Sequence, residues 1–465
     1  MGGLFGVFSH DDCLTDLFYG TDYHSHLGTT RGGMAVKNSG GFQRFIKDIT
    51  TAQFRSKFEK DIKKMHGNKG IGVISDYEDQ PLIISSHLGV FAIATVGKIN
   101  NLDLLTKSAL KNGAHFSEMH GSEINPTEMM ATIISQESSF EEGIQKAQSL
   151  IDGSCTMLIL TNDSLYAARD RLGRTPLIVG EKPGSFAVTM ETCAFPNLGY
   201  KVVKYLGPGE IIHINGKSIE QVVEPSERMQ ICSFLWVYYG YPASNYEGIN
   251  VETVRYKCGS YLAKNDDLEI DLVAGIPDSG TAHGLGYANE AKIPYARPFV
   301  KYTPTWPRSF MPQEQSIRDT VAKMKLIPIK ELITDKRLLF CEDSIVRGTQ
   351  LRRQIKRLFE SGAKEVHMRP ACPPLVYGCK FLNFSRSRSE LDLAGRWAIK
   401  ELIGKDLENP VEYTNPESDN YKAMVNVIRK KLHLTTLKYQ TLANLVKAIG
   451  LPKEKLCTYC WDGVE

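Results

Sequence analysis

A buried strand that ends in two adjacent acids and runs through a polar loop into a helix restricts this chain more than any other feature. It reads Leu338-Leu-Phe-Cys-Glu-Asp-Ser-Ile-Val-Arg-Gly-Thr-Gln350. Backbone N–H groups at a helix start make a cradle for an anion; Gly348 allows a phosphate close to the main chain, and Thr349 adds a hydroxyl. Glu342 and Asp343 suit sugar hydroxyls or a Mg2+-bound polyol rather than the phosphate itself. Taken alone, the acid pair fits an ordinary acidic turn equally well. A Walker loop is excluded, because no Gly-Lys-Ser/Thr follows. A dinucleotide fingerprint is excluded too, because no Gly-x-Gly-x-x-Gly follows a strand.

The surroundings place this loop in a parallel sheet. From about residue 230 the chain reads as a strand over Ile270–Ile276, a helix from about Ala282 to Ala291 and a strand over Pro294–Val300. Arg337–Cys341, the amphipathic helix Leu351–Glu360 stopped by Gly362, and Glu365–Arg369 repeat the rhythm. Strand, crossover helix, strand is the mark of parallel pairing. Residues 1–225 read differently. Short β-type runs at Gly3–Phe8, Gly70–Ile74, Leu88–Val96, Ser154–Thr161, Ser164–Arg169, Ser185–Thr189 and Glu210–Asn215 alternate with turn residues and with helices at Thr127–Gln136 and Phe140–Leu150. That is mixed α and β built from hairpins. We therefore expect two domains, 1–225 and 226–465.

Composition excludes several classes. At 42% hydrophobic and 23% charged the chain is ordinary globular material, and a net charge of +3 does not advertise nucleic acid or an anionic membrane as a partner. No apolar run approaches the ~18 residues of a membrane span. The start has no basic flank for a signal peptide, and Gly6 stands where myristoylation wants Ser or Thr. A cytoplasmic protein is expected. Its ten cysteines then read as packed thiols or metal ligands rather than a disulfide framework. Only Cys457-Thr-Tyr-Cys460 has a spacing that asks for metal, and a buried thiol pair fits it as well.

The segment Glu342-Asp-Ser-Ile-Val-Arg-Gly-Thr349 resembles the phosphoribosyl pyrophosphate loop of type I phosphoribosyltransferases, specifically that of the amidophosphoribosyltransferase family. Further segments resemble that family in the same order. They are Arg169-Asp-Arg-Leu-Gly-Arg-Thr-Pro-Leu177, Glu191-Thr-Cys-Ala194 and Pro208-Gly-Glu210 in its glutamine-amidotransferase half, then Ile276-Pro-Asp-Ser-Gly-Thr281 in its pyrophosphate loop. Phe299-Val-Lys-Tyr302, Arg308-Ser-Phe-Met-Pro-Gln313 and Lys323-Met-Lys-Leu326 resemble its lid. The resemblance implies an N-terminal-nucleophile α/β/β/α sandwich followed by a type I phosphoribosyltransferase sheet, and a place in purine synthesis. It implies that Glu342 and Asp343 hold the ribose hydroxyls and Mg2+, and that Ser344, Arg347, Gly348 and Thr349 hold the 5′-phosphate. Asp278, Ser279 and Gly280, with Lys301, Arg308 and Lys325, would face the Mg2+-pyrophosphate; alone, those three cations would read as solvated surface charges. Cluster-bearing members have cysteines at the positions of Cys232, Cys379, Cys457 and Cys460. Four thiolates suit a 4Fe–4S cluster or tetrahedral Zn2+, and the resemblance favours the cluster. A homo-oligomer and purine nucleotide effectors are further family expectations.

The glutaminase residues are another matter. The family's N-terminal cysteine, nucleophile and base in one residue, is matched by Gly2. The arginine that clamps the glutamine carboxylate is matched by Ser75, the oxyanion asparagine by Val96, and the acid that holds the amino group by Pro126. Cys13 has no free α-amine beside it. The expected chemistry is formation of 5-phosphoribosylamine from phosphoribosyl pyrophosphate and free ammonia. A conventional glutamine-dependent enzyme and a non-catalytic sensor of phosphoribosyl pyrophosphate or nucleotide are the alternatives.

Overall fold

A computed structural model describes residues 2–120, 123–264, 266–302, 326–382 and 390–465. The N-terminal half stacks two antiparallel sheets. In the first, seven strands run in the order Lys201–Tyr205, Ile178–Lys182, Ser185–Thr189, Gly3–Ser9, Lys69–Ser75, Arg31–Asn38, Gly41–Asp48. In the second, six strands run Ile219–Val223, Ile211–Ile214, Leu165–Ala168, Gly153–Leu160, Gly89–Ile99, Leu82–Ser86. The period of two along each strand decides what meets what. Leu4 and Phe8 face the inter-sheet core with Ala92, Ala94, Leu158 and Leu160. Phe5 and Val7 face outward onto Leu14, Leu17 and Phe18 of helix Leu14–Asp22 and Phe54 and Phe58 of helix Phe54–Ile62. On the far side, Phe91, Ile93, Met157 and Ile159 meet Met129, Met130, Ile133 and Ile144 of helices Pro126–Ile134 and Phe140–Leu150. The result is the α/β/β/α sandwich. Those two helices start where local chemistry dictates: Asn125 accepts from the Thr127 N–H at 2.9 Å ahead of Pro126, and Ser139 accepts from the Glu142 N–H at 3.2 Å.

The C-terminal half carries a parallel sheet of four strands, Leu272–Gly275, Arg337–Glu342, Glu365–Pro370 and Thr436–Leu437. One face packs Ala274, Leu338, Phe340, Val366 and Met368 against Ile355 and Leu358 of helix Thr349–Glu360 and Met424 and Ile428 of helix Asp419–Leu432. The other packs Val273, Leu339 and Cys341 against Leu262 of helix Val251–Ala263 and Tyr287 and Ala288 of helix Thr281–Ala291. Both faces are covered, as parallel sheets require.

Two local expectations need correction. The strand expected at Pro294–Val300 is split: Tyr295 forms only a single bridge to Val273, and Phe299–Lys301 pairs antiparallel with Leu326–Pro328. Pro294 and Pro298 lack the N–H groups that a continuous ladder needs. The hairpin Arg31–Asn38 with Gly41–Asp48 was not legible, because Gly32, Gly33, Gly40 and Gly41 interrupt its β pattern.

The halves are tied by main-chain and side-chain bonds. The Gln230 N–H donates to Leu172 O at 2.7 Å, and the Cys232 N–H to Arg174 O at 3.0 Å. Ile231–Cys232 pairs in parallel with Leu456–Cys457 near the end of the sequence. Glu191, 1% exposed, accepts from Tyr246 Oη at 2.7 Å, from Ser244 and from His26 at 3.1 Å. Burial alone would raise its pKa, but these partners outweigh burial and hold the carboxyl below its ordinary value.

Candidate functional site

The two loops singled out in the sequence leave the same edge of the parallel sheet. Register pairs Gly275 with Cys341, so the chain after each strand starts level with the other. Gly280 comes so near that a Cβ there would lie 2.4 Å from the Cys341 carbonyl oxygen. Ser279, in that loop, acts to lower the pKa of Glu342 across the edge. Asp278 is exposed and pairs with Lys301. Asp343 is buried at 6% exposure, accepts from Ser344 Oγ at 2.6 Å, and its own N–H donates to Glu342 at 3.2 Å. Burial, then the neighbouring Asp343 charge, push the Glu342 carboxyl well above its ordinary range. Two adjacent carboxyls held this way favour a bound cation.

Gly348 has φ of +77° and caps the helix Thr349–Glu360 at its N-terminus. That conformation turns the chain from the acid pair into the helix and leaves its first N–H groups at the loop. The structure thus brings Asp278 to Lys301, Gly280 to the strand that ends in Glu342, and Ser344 to Asp343, with Gly348 and Thr349 opening the helix that follows. Arg347 is exposed and pairs with Asp392 at 3.4 Å. Arg308 and Lys325 lie outside the described residues.

Sequence reasoning missed Arg255, on helix Val251–Ala263. It is 4% exposed and donates to the carbonyls of Trp236, Tyr238 and Gly240 at 3.0, 3.0 and 2.9 Å. Burial pulls its pKa below the ordinary guanidinium value, against the opposing charge of Asp343. No local motif announces such an arginine.

Among the described residues, no three His, Cys, Asp or Glu side chains are grouped to hold a single metal ion. Cys232, Cys379, Cys457 and Cys460 nonetheless line one cavity, with Arg174, Phe234, Phe381, Leu382 and Trp461 around them. The cysteines arrive from three stretches. The Ser233 N–H and Oγ both donate to Cys457 O, at 3.3 and 3.0 Å, and the N–H groups of Val376 and Tyr377 both donate to Cys460 O at 3.2 Å. The Cys460 thiol lies against Cys379, and that contact together with burial lifts its pKa well above the ordinary thiol range.

At the start of the sandwich the geometry is closed. A Cβ on Gly2 would meet the Ile74 carbonyl oxygen at 2.4 Å and Val96 Cγ2 at 3.2 Å. Ser75 Oγ accepts from the Tyr77 N–H at 3.1 Å and contacts Glu78 at 3.4 Å. Glu128, the acid nearest Pro126, is spent on Ser117 and Glu118, accepting their N–H groups at 2.8 and 2.9 Å. Cys13 is 1% exposed, and burial pushes its thiol far up.

Comparison with known proteins follows this division. A glutamine amidotransferase domain model matches residues 69–197. The Methanocaldococcus jannaschii amidophosphoribosyltransferase is 30% identical over 100% of this chain and 97% of its own length. The chain belongs to the amidophosphoribosyltransferase family. The Bacillus subtilis member is 30% identical over 87% of this chain and 86% of its own. A solved structure of the glutamine phosphoribosylpyrophosphate amidotransferase from B. subtilis, complexed with ADP and GMP, superposes with a TM-score of 0.85 at 27% identity. It covers 99% of this chain and 96% of that one. Family membership and fold therefore agree with the resemblance drawn from the loop sequences, and both halves of the amidophosphoribosyltransferase architecture are present.

The loop geometry yields one stability test. In Gly348→Ala the new Cβ must adopt a left-handed φ and meet Leu432 Cδ2 at 3.1 Å. The substitution should cost about 1–2 kcal/mol, read as a lowered midpoint in denaturant, and should weaken inorganic phosphate binding at the loop.

Proposed function

We propose that this chain is an amidophosphoribosyltransferase of purine synthesis that forms 5-phosphoribosylamine from phosphoribosyl pyrophosphate and free ammonia, with its amidotransferase half kept as a scaffold. The observation that carries the ammonia assignment is the position of Gly2, where a side chain of any kind would collide with the Ile74 carbonyl. Ser75 and Val96 add the loss of the carboxylate clamp and of the oxyanion donor. An acid, Glu78, stands beside Ser75 where a cation would be needed to hold the substrate carboxylate. Removing one oxyanion donor typically costs about 10²–10³ in rate, and removing the nucleophile closes the covalent route. The division of labour follows the boundary between 1–225 and 226–465.

In the second half, the ammonia lone pair attacks C1 of the ribose as the C1–O bond to pyrophosphate breaks, and the nitrogen then gives up a proton. Asp343 and Glu342 hold the ribose hydroxyls and orient the ring. Helix N-terminal N–H groups at Gly348 and Thr349, with the Ser344 hydroxyl, hold the 5′-phosphate. Ser279 and the Gly280 main chain face the pyrophosphate, and Lys301 exchanges its pairing with Asp278 for the leaving group's negative charge. Arg347, Arg308 and Lys325 are assigned to phosphate and pyrophosphate by the family pattern. The acid pair fits Mg2+, which takes one or two protein carboxylates and completes its shell with substrate oxygens. When bound, that ion neutralises charge on the leaving pyrophosphate. The four-cysteine cavity is assigned to a structural 4Fe–4S cluster, with Zn2+ as the alternative, because the family pattern favours the cluster. A cluster takes each thiolate on its own iron, whereas zinc needs all four within about 2.3 Å of one point. Purine nucleotide effectors, cytoplasmic work and a homo-oligomer complete the reading; the B. subtilis relative was solved with ADP and GMP.

The test mixes the protein with phosphoribosyl pyrophosphate and Mg2+, then adds either ammonium at alkaline pH or glutamine. Pyrophosphate release with ammonium alone is expected. Release with glutamine would restore the conventional reading, and binding without release from either would favour a sensor.

Gly2→Cys should lower stability by about 1–3 kcal/mol through overpacking and yield no glutamate from glutamine; glutamate production would refute the degenerate-site argument. Asp343→Asn should weaken phosphoribosyl pyrophosphate binding and abolish transfer. An unchanged affinity by calorimetry would remove the acid pair from the ribose.

A further inference from the structure

We propose that Arg174 is a positioning residue of the four-cysteine centre, donating its Nε–H to a cysteine sulfur and balancing the negative charge that the thiolates bring. The inference rests on the cluster reading given above. Arg174 is 4% exposed, and its main-chain carbonyl is bound by the Cys232 N–H at 3.0 Å, so its backbone moves with a cysteine of the centre. Its side chain forms part of the cavity wall that the four cysteines share. One terminal nitrogen, Nη2, donates to Gln230 Oε1 at 3.2 Å, and the guanidinium carbon lies 3.5 Å from the centre of the Phe381 ring. Nε is buried and has no oxygen or nitrogen acceptor.

A buried guanidinium with an unpaired donor is costly unless an anion answers it. Gln230 is neutral and the Phe381 face offers only a weak π attraction. The four sulfurs supply the missing partner once they are ionised by a bound cluster, which with four thiolates carries net negative charge. Stacking on Phe381 and the bond to Gln230 fix the plane of the guanidinium, and leave Nε–H for a sulfur. Hydrogen bonds and positive charge at the sulfurs stabilise the more negative, reduced state of a cluster, and so raise its reduction potential. Lysine keeps the charge but has no fork to stack and donate at once.

The test uses full-length wild type, Arg174→Lys and Arg174→Met, purified without oxygen. It measures iron and sulfide content, visible absorbance, iron loss to a chelator and the midpoint potential of the one-electron couple. Wild type should be brown. Arg174→Met should bind iron about 10–100-fold more weakly and titrate at a more negative potential. Arg174→Lys should keep its iron and shift the potential less, in the same direction. If the methionine variant fails to fold, the lysine variant decides by its potential alone. A brown wild type whose potential is unchanged in every variant that folds overturns the role of Arg174 and leaves the cluster standing. An iron-free, colourless wild type overturns both.

Discussion

The approach of Gly280 to the main chain of Cys341 is the contact on which the phosphoribosyl site depends. Parallel strands in register carry the two loops to one edge, but register alone leaves them side by side. Only the missing Cβ lets one loop close onto the other strand, where any side chain would stand 2.4 Å from a carbonyl oxygen. Closure brings the loop after Gly275 onto the strand that ends in Glu342. The raised carboxyl of Glu342 follows from the same crowding, since two acids have been drawn into a half-buried edge with few cations to answer them. Lys301 answers from beside Asp278.

Apolar packing holds the two sheets of the N-terminal half together. Gly2, Ser75 and Val96 are buried, but none of them asks a catalytic residue to hold the sheets together. Val96 simply joins the inter-sheet core. What persists from the family pattern is architectural. Arg169, fully buried, donates to Thr175 O at 2.9 Å and Gly173 O at 2.8 Å and pairs with Glu247 from the other half at 2.8 Å. Those bonds shape the turn whose next residue, Arg174, receives Cys232.

How much of this was legible in the residues varies with the range of the interaction involved. Helix Phe140–Leu150 was legible to the residue, because Ser139 and Glu142 mark its start and its apolar stripe fixes its face. Strand Arg337–Glu342 and the turn at Gly348 were legible for the same reason: short-range signals specify them. The strand at Pro294–Val300 was misread, because an apolar run outweighed the two prolines within it. Arg255 was beyond reach, and so was the place of Arg174 beside the cysteines, although its segment carries the family resemblance. Each looks like any surface arginine, and becomes special only when residues distant in sequence enclose it. The meeting of Cys232, Cys379 and Cys457 could be expected only through the family resemblance, since spacing says nothing about parallel pairing between Ile231–Cys232 and Leu456–Cys457.

The sandwich and the parallel-sheet half share one core. Leu4, Leu177 and Leu206 of the first half and Phe234, Trp236, Leu445 and Trp461 of the second belong to one continuous buried cluster. Domains that fold alone keep separate cores and meet across modest, polar surfaces. Here removal of the first half would expose the aromatic floor of the second, strip Arg174 from the cysteine cavity and leave Ser244 and Tyr246 without Glu191.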